Sequence, residues 1–323
     1  MKQSCGNTRF LWNYFLSKQK EKYKKEKKFI FYNEMASYLS DMKKEREWLN
    51  ESYSQVLQQT LRDLDQALKN CFRSNFGFPK YKSKYSLRDS FRYVQHVTLQ
   101  GTKRVRLPKI GDVKISLHRK LPNHTSATIL QKGNKWYISF VVEVSEPRTQ
   151  EQPKQEIKKI IGVDLNSSHT ALSTSELISN PKPAKAKRKQ IVARQRKLSR
   201  TKKKSRNRYK IQLKLFQTWS RVNNIRNNFL HQISNRIAKD CELVCVETLD
   251  IEKMKQNHLS AKAIQDAGWA SFISMLDYKC QLKGSQMIKI NQYLPSSKTC
   301  SSCNHIKSEL DLKTRTFKCG HLL

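Results

Sequence analysis

Three groups of residues in this sequence have the types and spacing to do chemistry. Asp164 closes an apolar run, Ile160 to Val163, and leads into the small polar residues Asn166, Ser167 and Ser168. Glu247 closes a second apolar run, Leu243 to Val246. A carboxylate at the carboxyl end of a strand faces the crevice where open α/β sheets place their sites. Two such acids arriving from two strands can share a divalent cation, whereas a lone strand-end Asp is an ordinary hydrogen-bonding turn residue. The third group is Cys300 and Cys303, with two residues between them, and Cys319 after fifteen more, as in the two halves of a zinc ribbon.

These groups need elements to hold them. The β-branched run before Asp164 lacks polar alternation, which predicts a strand buried on both faces in a mixed sheet flanked by helices. The run before Glu247 predicts a companion strand, Ala261 to Leu282 a helix with Trp269, Phe272, Met275 and Leu276 inward, and Gln286 to Leu294 a further strand. Upstream, Phe10, Leu11, Tyr14 and Phe15 mark a helix over 7–16, followed by a charged segment, Lys18 to Lys28. Leu57, Leu61, Leu64, Leu68 and Cys71 mark a second helix over 50–72, with Asn50 as its cap. From Ser90 to Val144 the apolar period becomes two, with turn signals at Gly101, Gly111 and Gly133, which predicts a small antiparallel sheet or barrel. Pro147 and Pro153, in the polar stretch 146–159, mark a domain boundary.

Charge narrows the partner class. The chain has 323 residues, with 64 Lys+Arg against 26 Asp+Glu and a formal charge of +38. That excess calls for a polyanion, nucleic acid first. No apolar run has the length of a spanning helix and the first ten residues are no signal peptide, so the expectation is a cytoplasmic protein without a membrane partner. The eight cysteines are mostly scattered, as reduced thiols rather than a disulfide framework. The segment 182–226 holds 18 Lys or Arg, and no acid occurs between Glu176 and Asp240. A solvated face would mix its signs. Unmixed charge on one long basic helix, 182–238, predicts a phosphate-backbone surface, with Arg188, Arg194, Arg196, Lys197, Lys202, Lys203, Lys204, Arg206 and Arg208 as contacts. In FGFPKYKSK, residues 76–84, Lys80, Lys82 and Lys84 interleave with aromatics. The segment is either a surface for single-stranded or distorted nucleic acid or a loop whose aromatics plug the core.

In order along the chain, RFLWN, GFPKYKSK with DSF after it, LPKIGDVKI, GVDLN, the basic stretch, VETLDIEKM, AIQDAGW and PSSKTCSSCNH resemble the TnpB family, transposon-encoded RNA-guided nucleases, from Asn7 to His321. The resemblance implies a multi-domain α/β (α+β) chain. Residues 1–150 would form a wedge-like antiparallel β-barrel with an inserted helical recognition lobe (about 5–75), 151–298 a ribonuclease H-like RuvC domain, and 299–323 an incomplete zinc ribbon. It implies a guide RNA and target DNA as partners, Asp164 and Glu247 as catalytic Mg²⁺ ligands, and Cys300, Cys303 and Cys319 as zinc ligands. The family's third acid lies in a DRDxNAA-like motif beyond the ribbon, where this sequence has ended. Leu322 stands at the place of the fourth zinc cysteine, and the family's first barrel strand is missing. A RuvC site uses two Mg²⁺ ions held by several acids, so the expectation is impaired cleavage, a weakened Mg²⁺ site, and a zinc site that is lost or completed by His305 or His321. The alternatives are a cleavage-dead RNA-guided DNA-binding module and a conventional DNA transposase subunit. Oligomeric state is left open.

Overall fold

The computed structural model describes residues 1–73, 76–119, 121–122, 124–143, 159–258, 260–291, 298–300, 303–307 and 319. The expected linker, apart from Lys159, and Val144, Gln292 to Leu294, His321 and Leu322 lie outside them. The chain divides into two compact units, residues 1–145 with 192–218, and 146–191 with 219–323.

The first unit begins with helices. The leading helix, α1 (Lys2–Glu26), extends well past the expected stretch, because the charged segment after Leu16 continues it as a solvated face. A helix the sequence reading did not separate, α2 (Tyr32–Glu45), precedes α3 (Ser54–Arg73). Asn50 does not cap α3: it sits in a short 3₁₀ turn and donates from Nδ2 to the Lys43 carbonyl at 3.3 Å. Leu57, Leu61, Leu64 and Leu68 of α3 bury against Leu11, Phe15 and Leu16 of α1 and Met35 and Leu39 of α2. Each such side chain contributes about 1.5–3 kcal/mol on leaving water.

Six strands follow: β1 (Arg88–Tyr93), β2 (Thr98–Gln100), β3 (Arg104–Leu107), β4 (Gly111–Lys114), β5 (His124–Lys132) and β6 (Lys135–Val142). The antiparallel expectation holds, but among the described residues no closed barrel forms. Two three-stranded sheets, β1–β5–β6 and β2–β3–β4, do not pair with one another. The second is a meander of three- and four-residue strands, too short to carry the shear and tilt that closure needs. Both sheets contribute to one core, Phe91, Tyr93, Ala127 and Ile129 from the first and Val105 and Leu107 from the second. The helices α1, α2 and α3 precede these strands in the chain.

The second unit carries a five-stranded sheet. Its strands are β7 (Ile160–Leu165), β8 (His169–Leu172), β9 (Leu177–Ser179), β10 (Leu243–Glu247) and β11 (Gln286–Ile290), in the order β11–β10–β7–β8–β9. The strands β7, β10 and β11 are mutually parallel, and β8 and β9 turn back antiparallel, so the sheet is mixed as expected. Its helices are α6 (Ile251–Gln256), α7 (Ala261–Ala267), α8 (Trp269–Lys283) and the parts of α4 (Pro183–Ser199) and α5 (Arg206–Asp240) outside 192–218, the stretch that belongs to the first unit.

Three expectations change here. The β7 strand is not buried on both faces: Ile161, Val163 and Leu165 go inward, while Ile160 and Asp164 are exposed. Among the described residues, helices α5 and α8 pack on the inward face, through Leu230, Ile233, Ile237, Phe272 and Leu276. The basic stretch is a helical hairpin, not one helix, broken at 200–205 where Lys204 takes a left-handed φ of 65° and Ser205 Oγ accepts from the Arg208 N–H. The helix expected over 261–282 is broken at Gly268, whose φ of 73° ends α7. There a β-carbon would stand 3.0 Å from Arg226 Cδ and 3.2 Å from Leu230 Cδ1, so only glycine fits without displacement.

Candidate metal sites and nucleic-acid surface

The acid pair is a product of strand register. Parallel pairing runs from Leu243 opposite Ile160 to Val246 opposite Val163, so the next residues on the two strands are Glu247 and Asp164. Alternation sends Val163 and Val246 into the core and the two acids to the opposite face. Their backbones stand about 4.8 Å apart, the spacing of neighbouring strands. Neighbouring like charges repel, yet among the described residues neither acid enters an ion pair, in a chain with 64 Lys+Arg. Two uncompensated carboxylates at one level of one face suit a hard divalent cation. No third acid joins them: among the described residues, the cysteine trio is the sole group of three His, Cys, Asp or Glu ligand atoms within reach of one ion.

Asp164 has a fixed neighbour that the sequence reading passed over. Asn166 Nδ2 donates to Asp164 Oδ2 at 2.9 Å. The Asn166 N–H donates to the His169 carbonyl at 3.0 Å, and its own carbonyl accepts from Asn180 Nδ2 at 2.9 Å. The signal was an Asn two residues after the Asp, on the same strand face.

The three cysteines meet. Their sulfurs lie within 4.8 Å of one another, and Cys303 Sγ is 3.4 Å from Cys319 Sγ. Thiolates on a tetrahedral zinc stand about 3.8 Å apart, given a Zn–S bond of about 2.3 Å, so the trio fits a metal ion. A narrow hairpin presents the first two: Cys300 N–H donates to the His305 carbonyl at 2.9 Å, and Asn304 N–H to the Cys300 carbonyl at 3.0 Å. The His305 backbone N–H draws the Cys303 thiol pKa down, but the Cys319 thiol, burial and the Cys300 thiol carry it above its ordinary value. Crowded thiols resist ionising together until a cation is present. The His305 side chain does not join the trio.

The expected nucleic-acid contacts fall into two classes. Lys80, Lys84, Arg188, Arg196, Lys197, Lys202, Lys203, Lys204 and Arg206 are exposed. Arg194 and Arg208 are half-buried staples of the hairpin: Arg194 Nη1 donates to the Lys214 carbonyl at 2.7 Å and to Thr218 Oγ1, and Arg208 Nη1 to the Leu198 carbonyl at 2.8 Å. Their guanidinium groups order the hairpin that carries the other cations. Lys82 is intermediate in role. The residue is exposed, but its ammonium sits 3.9 Å from the Trp12 ring centre, and loss of water there lowers its pKa. The 76–84 loop lies along α1, with Trp12 Nε1 donating to the Lys80 carbonyl at 3.0 Å and Asn13 bonding Lys82 through both amide atoms. Phe78 packs on the helical core, as the core-plug reading expects, while Phe76 and Tyr81 stay exposed.

A cavity of about 540 Å³, lined by Lys159, Lys239, Cys241, Lys283 and Ser285, opens at the amino ends of β7, β10 and β11, the opposite end of the sheet from the acids. No helix among the described residues is long and apolar enough to cross a membrane.

Comparison with known proteins bears on this arrangement. Residues 139–258 match the OrfB_IS605 family, described as "Probable transposase". Residues 269–322 match "Cas12f1-like, TNB domain", and residues 1–28 a "Helix-turn-helix domain". The chain is 32% identical over 339 residues to the Escherichia coli (strain K12) protein "Putative RNA-guided DNA endonuclease InsQ", covering 99% of this chain and 83% of that protein. It is 30% identical over 327 residues to a Streptomyces pristinaespiralis "Putative RNA-guided DNA endonuclease", covering 99% and 80%. The chain belongs to the TnpB family.

The cryo-EM structure of a Cas12f1–sgRNA–target DNA complex shares the fold of this TnpB-family chain, with a TM-score of 0.55 at 14% identity over 98% of this chain and 78% of that one. The match over 139–258 spans both acids, and that over 269–322 spans all three cysteines.

Proposed function

We propose that this TnpB-family chain is an RNA-guided DNA-binding protein of the cytoplasm, carrying a RuvC-type acid pair and a zinc-holding thiol trio. The observation that carries the reading is the register of β7 and β10, which sets Asp164 and Glu247 side by side on the sheet face opposite the core, neither of them in an ion pair among the described residues.

In this reading the residues divide the work. The exposed cations of the hairpin and of the 76–84 loop neutralise phosphates of guide RNA and target DNA. Arg194 and Arg208 hold the hairpin in shape. Asp164 and Glu247 each offer carboxylate oxygen to Mg²⁺, which when bound supplies activation of water and stabilisation of the leaving oxygen. Cys300, Cys303 and Cys319 hold zinc and tie residue 319 to the 300–303 hairpin. Two-metal hydrolysis needs more carboxylates than two, and the described residues bring no third to the acid pair. Binding is therefore the strong activity and cleavage the weak one.

The test is a single gel with the full chain, its guide RNA and a duplex bearing the matching target, with Mg²⁺ or with EDTA. The expected result is a shifted, largely intact duplex in both lanes. Rapid Mg²⁺-dependent cleavage abolished by Asp164→Ala would establish a full nuclease and overturn the weak-cleavage part. No shift in either lane would overturn the binding reading.

A further inference from the structure

Asp164 is not a freely rotating carboxylate. An ionised carboxylate only accepts hydrogen bonds, so the Asn166 amide must present its nitrogen to it. That nitrogen is 2.9 Å from Oδ2. The amide is itself held from both sides of its backbone, by the 3.0 Å bond to the His169 carbonyl and the 2.9 Å bond from Asn180 Nδ2. Asn180 is locked in turn, its N–H donating to the Ser168 carbonyl at 2.9 Å, and Ser168 Oγ is 2.8 Å from His169 Nδ1. The turn after β7 is thus a hydrogen-bonded frame whose one outward product is a fixed amide on one Asp164 oxygen.

We propose that Asn166 is the positioning residue of the acid pair and sets its cation preference, by engaging Asp164 Oδ2 and leaving Oδ1 as the single oxygen that Asp164 offers to a metal ion. This rests on the reading that Asp164 and Glu247 hold a cation. A small ion of near-octahedral demand, Mg²⁺ or Mn²⁺, takes single carboxylate oxygens at about 2.0–2.2 Å, whereas Ca²⁺ fills six to eight positions and gains from bidentate carboxylates. A carboxylate with one oxygen already occupied discriminates against Ca²⁺. The frame also fixes the plane of the carboxylate, so less rotamer freedom is lost when the ion binds.

The experiment is Mn²⁺ binding to the full chain followed by electron paramagnetic resonance, with competition by Mg²⁺ and by Ca²⁺. Zinc is present throughout, because thiolates favour it over Mn²⁺ and the trio is then filled. Asn166→Ala is expected to weaken Mn²⁺ binding about 10–100-fold, the usual loss when a partner of a metal ligand is removed. It is also expected to narrow the margin of Mg²⁺ over Ca²⁺, while the unfolding midpoint stays put. Asn166→Gln, which keeps a donor, recovers part of both, and Asn180→Ala, which loosens the frame without touching the acid, gives a smaller loss in the same direction.

If Asn166→Ala binds Mn²⁺ and ranks Mg²⁺ and Ca²⁺ as the unmutated chain does, while Asp164→Ala has lost the ion, Asn166 is a turn residue and the proposal is wrong. If Asp164→Ala itself binds Mn²⁺ undiminished, the acid-pair reading fails and the proposal falls with it.

Discussion

On the proposed reading the acid pair and the thiol trio each gather ligands for a cation, and the two are built in opposite ways. Asp164 and Glu247 are consecutive with Val163 and Val246, buried residues of hydrogen-bonded parallel strands over the core of the second unit. Their separation is fixed by strand spacing before any ion arrives, at the cost of holding like charges together. Cys300 and Cys303 stand on a hairpin fastened by a bridge between Thr299 and Ile306, and Cys319 joins them across a long stretch of sequence. In the proposed reading, folding prepares the acid site and an ion would relieve it, whereas an ion would complete what a short hairpin begins for the thiols.

Core damage should separate the two most strongly. Leu276 is fully buried beneath the sheet, and Leu276→Ala should cost about 2–5 kcal/mol in a urea titration. Mn²⁺ binding at the acids should be lost together with the sheet, while zinc content per chain persists to higher urea. Simultaneous loss would mean that the thiols too depend on the core.

A somewhat smaller effect is expected at Asp266, a buried carboxylate that accepts from the Ala184 and Lys185 N–H groups and pairs with Arg226 at 3.1 Å. Asp266→Ala leaves the half-buried Arg226 with its Nε bond to the residue 266 carbonyl alone, and the Ala184 and Lys185 N–H groups without their acceptor, at a cost of about 1–3 kcal/mol by the same titration. Chelating zinc should act the other way round. All three cysteines should become reactive to alkylation, counted by mass, while the cooperative unfolding of the sheet moves by less than about 1 kcal/mol. A large shift would make the trio part of the core's stability.

The acids themselves should show a small effect of unusual sign. Asp164→Asn in metal-free protein should stabilise the fold by about 0.2–1 kcal/mol, because it removes a like-charge neighbour, while abolishing Mn²⁺ binding. Destabilisation would imply that a cationic partner holds Asp164. On the hairpin, Ala at Lys202, Lys203 and Lys204 together should flatten the salt dependence of nucleic-acid binding by about two to three units of log–log slope. Arg208→Ala should leave the slope nearly unchanged and loosen the hairpin by about 1 kcal/mol, because its guanidinium bonds to carbonyls instead of phosphates.

Much of this was legible in the residues. The leucine period gave α3, the apolar runs gave β7 and β10, and the cysteine spacing gave the trio, because each is a local pattern repeating at the period of its element. The misread features depend on partners distant in sequence. Nothing near Ile160 says which face of its strand is buried, since among the described residues that burial comes from α5 and α8. Arg194 reads as one more cation in a basic run until Lys214 and Thr218 close on it. Short sheets that share a core without pairing look, in sequence, like the strands of a barrel.

The sequence alone determined the charge that calls for a polyanion, the two strand-ending acids, and the sulfur ligands. Those are properties of residue type and short spacing, set before folding. Only the tertiary structure decided that Glu247 and Asp164 stand at the same level of one face, because register between strands some eighty residues apart is fixed by packing over the core and by the hydrogen-bond ladder. It also decided that Asn166 holds one of the Asp164 oxygens, since that geometry exists only once the turns at Ser168 and Asn180 have closed around it.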